Sequence, residues 1–147
     1  MYGEEKTTLI NLTSHEQYLD ILKKLKSKTA YIVLVQIDGE DKNDLNLVKA
    51  LKQMELIGTK KVNEWLGTRT RGFPAVRYIF KFDERYIKYL SNFDSFFFNT
   101  TDKWSYDAVE KTDFGFDDIA FLDENRQVLF YTTTHEGYAN ILPDLMD

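Results

Sequence analysis

Hydrophobic and polar positions change period several times along this chain, and each change marks an element. TTLINLT, residues 7–13, predicts a short first strand. Ser14 follows as a helix N-cap, with Gln17 at capping-box spacing. Tyr18, Ile21, Leu22 and Leu25 then recur at helical intervals, and Lys23, Lys24 and Lys26 occupy the last turns, where cations suit the helix dipole. AYIVLVQID, residues 30–38, is almost continuously apolar and β-branched, the pattern of a strand covered on both faces.

A second helix is expected over roughly 43–57, capped by Asn43 or Asp44 and stopped by Gly58. Its expected buried stripe is Leu47, Val48, Leu51, Met54 and Ile57. Residues 59–73 are less regular, with a short helix around Val62, Trp65 and Leu66 and breaks at Gly67 and Gly72. PAVRYIFKF, residues 74–82, alternates with period two and predicts a strand with one face on a core. DERYIKYLSN (83–92) reads as a helical turn, DSFFFN (94–99) as a strand and 100–112 as a polar loop. DIAFLD (118–123) and QVLFYTTT (127–134) predict a β-hairpin around Glu124, Asn125 and Arg126. A last helical turn is expected over Gly137–Leu142, stopped by Pro143.

Helices cluster early and strands late. The expected fold is α+β: a mostly antiparallel sheet of five or six strands with two main helices packed on one face. No repeat or linker divides the chain, so residues 1–147 read as one globular domain with a flexible start at 1–6.

Composition narrows the function classes. The absence of cysteine excludes disulfides, thiolate zinc sites and a cysteine nucleophile. No apolar run is long enough for a membrane helix, and MYGEEKTTL lacks the features of a signal peptide, so a cytoplasmic location is expected. The net charge of -5 disfavours general nucleic-acid binding and suits a basic protein partner.

Three stretches carry candidate chemistry. In VLFYTTTHEGY, His135 and Glu136 form a possible acid–base pair for a hydrolase-type enzyme. HExxH is absent because Ala139 occupies the fifth position, and no metal or cofactor is expected. The plainer reading makes His135 the polar end of a strand. In TKKVNEWLGTRTRG, Lys60, Lys61, Arg69 and Arg71 stand against the single Glu64 and are candidates for a phosphate, an anion or a nucleic-acid strand, beside Trp65. The plainer reading there is a solvated loop anchored by its Trp. The acidic segment 102–124 interleaves carboxylates with rings. Trp104, Tyr106, Asp113, Asp117 and Asp118 are the candidate contacts for a protein partner.

The run DIAFLDENRQVLFYTTTHEGYANI, with EWLGT and SFFFN upstream, resembles small uncharacterised bacterial proteins, some of them similar to immunity proteins of toxin–immunity systems. The resemblance spans about the last 85 residues and carries no functional residue with it. It implies a cytoplasmic inhibitor that occludes a cognate, basic toxin domain. The expected function is therefore protein binding, with the His135/Glu136 hydrolase and the residue 60–71 anion binder as alternatives.

Overall fold

The computed structural model describes residues 6–12, 14–37, 45–66, 68–69, 74–93, 95–96 and 116–146, and only the backbone at 37, 45, 46, 69 and 135. Its strands are β1 (Thr8–Ile10), β2 (Tyr31–Ile37), β3 (Glu55–Val62), β4 (Glu64–Trp65), β5 (Thr68–Arg69), β6 (Ala75–Lys81), β7 (Asp118–Leu122), β8 (Val128–Thr133) and β9 (Tyr138–Ile141). Its helices are α1 (His15–Lys26), α2 (Leu45–Gln53) and α3 (Glu84–Leu90). Seven strands form one sheet in the order β1-β9-β8-β7-β2-β6-β3, and β4 and β5 form a separate hairpin. Every pairing is antiparallel. Among the described residues, β1 and β3 are the edges. No helix among them is long and apolar enough to cross a membrane.

β2 sits between β6 and β7, and its alternation divides the core in two. Ile32 and Leu34 join Phe80, Phe121 and Phe130 in the larger cluster, together with Tyr18, Ile21, Leu22 and Leu25 of α1, Ala50 of α2 and Tyr86, Ile87 and Leu90 of α3. Val33 and Val35 point the other way. They join Ala75, Ile79, Ala120, Leu122, Val128 and Tyr131, with Trp65 and Leu66 packed against them. Burial on both faces explains the unbroken apolar run of β2.

Local signals place the helix ends. Ser14 accepts the backbone N–H of Gln17 at 3.1 Å, which fixes the start of α1. Tyr18, fully buried, donates its hydroxyl to the Leu90 carbonyl and ties α1 to α3. Asp83 caps α3 by accepting from Arg85 N–H at 2.9 Å. In the β7–β8 turn, Asp123 Oδ1 accepts from the backbones of Asn125 and Gln127, each at 2.9 Å. Arg126 takes a left-handed φ of 60° there, with its guanidinium 4.8 Å from the centre of the Tyr31 ring.

The structure departs from the pattern-based expectation in three places. α2 ends at Gln53, and Glu55–Val62 is an edge strand instead of the helix end and loop expected. Ala50 and Met54 are the buried contacts of this region, whereas Leu51 and Ile57 are exposed. Ile57, Thr59 and Val62 are β-branched and suit a strand. The short helix expected around Val62, Trp65 and Leu66 is instead the end of β3 and the β4–β5 hairpin. Tyr138–Ile141 is strand β9, not a helical turn, because Gly137 at φ 77° reverses the chain into a pairing with β8. Of the strand expected over 94–99, only Ser95 and Phe96 are described, and both are buried outside any strand; the cap at Asn43 or Asp44 lies outside the described residues, as does most of the flexible start.

A candidate binding cleft beneath Trp65

The register across the sheet lines up four side chains on one face. Val35 of β2 pairs with Asp118 of β7 on one side and Arg77 of β6 on the other, and Arg77 pairs with Lys60 of β3. Directly opposed residues share a face. The row therefore reads Asp118, Val35, Arg77, Lys60, one acidic and two basic groups around a valine.

After Val62 the chain leaves the edge of the sheet and turns back over this same face. The Glu64–Arg69 hairpin carries Trp65 across β6 and β2 as far as β7, three strand spacings or roughly 14 Å. There Trp65 donates its indole N–H to Asp118 Oδ2 at 2.7 Å. Asp118 is buried, with 4% of its surface exposed. Its other oxygen, Oδ1, accepts the backbone N–H of Thr134 at 2.8 Å and the Thr132 hydroxyl at 3.2 Å. Thr132 in turn accepts from the Ile119 N–H at 3.0 Å and from the Thr134 hydroxyl at 3.2 Å.

These contacts satisfy a carboxylate that burial would otherwise strand. Burial pushes the Asp118 carboxyl above its ordinary value. The Thr134 N–H, the Trp65 indole and the threonine hydroxyls oppose that rise by favouring the charged form. Each donor to a charged group is worth about 1.5–3 kcal/mol. Two of the three threonines ahead of His135, Thr132 and Thr134, thus form the cradle of Asp118.

Between hairpin and sheet lies a cleft lined by Val33, Val35, Leu66, Ala120, Leu122 and Tyr131, with Glu64, Trp65, Arg77, Asp118, Ile119 and Thr132 completing its wall. Its free volume is about 70 Å³. One water needs roughly 10–15 Å³ on this measure, so the cleft admits a handful of waters or one medium side chain. Arg77 brings a buried Nε–H with no acceptor into this wall. An apolar concavity with a few converging polar groups is the usual form of a binding site.

The residues singled out from sequence scatter. Asp117 and Asp118 are both buried, at 9% and 4% exposure, although they were expected on an open acidic face. Asp118 faces the cleft, and its charge is spent on internal donors. Trp104, Tyr106, Asp113 and Arg71 lie outside the described residues, as do the side chains of Arg69 and His135. Lys60 and Lys61 are consecutive on β3 and so project to opposite faces; only Lys60 joins the row. The backbone of His135 belongs to a 3-10 turn, Thr134–Glu136, that closes β8. Glu136 is exposed and does not line the cleft. Among the described residues, no three His, Asp or Glu side chains are placed to share a metal ion.

Sequence reasoning passed over Arg77, Thr132 and Thr134. The signal for Arg77 was a charge inside an alternating strand, at a position whose neighbours two residues away, Ala75 and Ile79, are apolar and buried. No protein-family model matches the sequence, and no curated protein or solved structure matches it.

Proposed function

We propose that this chain is a protein-binding module and that the cleft beneath Trp65 is its receptor pocket. The observation that carries this reading is the size and make-up of the cleft: about 70 Å³, walled by Val33, Val35, Leu66 and Tyr131, and roofed by one indole. That space suits a single anchoring side chain of a partner better than a drug-sized ligand, which fills several hundred Å³. Buried anchors in small pockets dominate the energetics of protein interfaces. The net charge of -5 favours a basic partner. An immunity-type role in a bacterial cytoplasm, in which this chain occludes a toxin domain, belongs to the same proposal.

The test compares capture by the native chain and by two cleft variants. Ala120→Leu fills the cleft from the sheet, and Leu66→Lys places a charge on its roof. A protein retained by the native chain, lost by both variants and still retained by Glu136→Gln supports the reading. Equal capture by all four contradicts it.

A further inference from the structure

Two features of the row along the cleft stay unexplained if an apolar anchor is its sole occupant. The first is Arg77: its Nε–H is buried and has no acceptor, and such a group costs about 1–3 kcal/mol. The second is Lys60, directly opposite Arg77 in the β3–β6 register. Like charges so placed repel and destabilise the pair of strands. Asp118 lies two strands from Arg77 in the same row, with Val35 between them, and makes no ion pair with it. Its oxygens are engaged by Trp65, Thr132 and Thr134. Glu64 also lines the cleft, but it is exposed, as Lys60 is, so water and salt screen both charges. The cleft therefore presents one cation, Arg77, with a buried, unmet donor beside an apolar hole, and the exposed Lys60 lies next to it in the row.

That combination asks for an anion joined to an apolar group over a very short distance. Inside a polypeptide, an apolar residue offers no charge. At the end of a polypeptide, one residue carries both an apolar side chain and a carboxylate on the same Cα. We propose that the cleft binds the C-terminus of its partner. The last side chain lies over Val33 and Val35 beneath Trp65, and the terminal carboxylate is held by Arg77 with Lys60 beside it. A guanidinium meets a carboxylate with two parallel N–H donors, which adds direction to the charge attraction. This inference rests on the reading of the cleft as the receptor pocket.

The experiment titrates the full-length chain, by calorimetry, with acetylated tripeptides Ala-Ala-Xaa ending in Leu, Ile, Met or Phe. Each peptide is used as the free acid and as the C-terminal amide. Isocaproate serves as a free small carboxylate of the same chemistry. At least one free acid is expected to bind, with its amide weaker by about tenfold or more, the worth of one charge-assisted contact. Arg77→Gln is expected to erase the difference between acid and amide. Arg77→Lys is expected to keep part of it, and Lys60→Gln to reduce it about threefold, as a less buried charge does.

Acid and amide binding equally well would overturn the chain-end inference while leaving the pocket intact. Isocaproate binding as tightly as the best peptide would overturn it in favour of a free small molecule. Absence of binding by every peptide would also overturn it. The pocket reading itself stands or falls separately, on whether Ala120→Leu and Leu66→Lys abolish capture of a partner.

Discussion

The indole N–H of Trp65 lies 2.7 Å from the carboxylate of Asp118, a residue 53 positions further along the chain. This one bond fixes a two-stranded hairpin over the second face of a seven-stranded sheet, and the space left beneath it is the cleft. Because the acceptor is charged and buried, the bond is a strong tether for so short a hairpin.

Trp65→Phe keeps an apolar ring and removes the donor. Asp118 then loses one of its charge-assisted partners, at a cost of about 1.5–3 kcal/mol. A lower urea midpoint by circular dichroism checks this, since the fluorescence reporter is itself changed.

The acid dependence of stability should carry the mark of Asp118. Its carboxyl is raised in the folded chain, chiefly by burial. The folded state therefore holds this proton to higher pH than the unfolded state, so the contribution of Asp118 is most favourable at low pH. It is lost as pH rises from the ordinary carboxylate range through the raised value. Asp83, held below its ordinary value by its hydrogen bonds from Arg85, works in the opposite sense. The informative curve is thus the difference in unfolding free energy between the native chain and Asp118→Asn. It should fall with rising pH across that window and be flat above it.

Thr132→Val removes a hydroxyl that serves both Asp118 and the Ile119 N–H. Asp118, the Ile119 N–H and the Thr134 hydroxyl each lose a partner, at roughly 1–3 kcal/mol per lost bond, so a loss of about 3 kcal/mol or more is expected in chemical denaturation.

Gly58 sits at the bulged part of β3 with no heavy atom within 4 Å of where a Cβ would be. Its φ is not in the left-handed region. Gly58→Ala should therefore raise stability by about 0.4–1 kcal/mol, through the reduced freedom of the unfolded chain, and so raise the melting temperature.

The fold was legible where packing repeats at short range. Tyr18, Ile21, Leu22 and Leu25 announced α1, and their burial follows the expected stripe. The hairpin at Glu124–Arg126 was written in turn chemistry. What failed was local in a different sense. Leu51 and Ile57 fit a helical period yet are exposed, because α2 buries the Ala50 side instead and gives way to an edge strand. The site was the least legible part. Trp65, Arg77 and Asp118 are far apart in sequence, and what joins them is the strand order, which places β7 and β6 on either side of β2. Periodicity shows which residues share a strand face but not which strands are neighbours.

The central claim is that a partner docks in the cleft beneath Trp65. Its most direct test is the indole N–H signal of Trp65 in a ¹⁵N-labelled chain carrying Trp104→Phe, recorded while a captured partner is added. The account predicts that this signal shifts or broadens as the complex forms, and that Ala120→Leu abolishes both the change and the binding. A partner that binds both chains with equal affinity and leaves the Trp65 indole unmoved would contradict it.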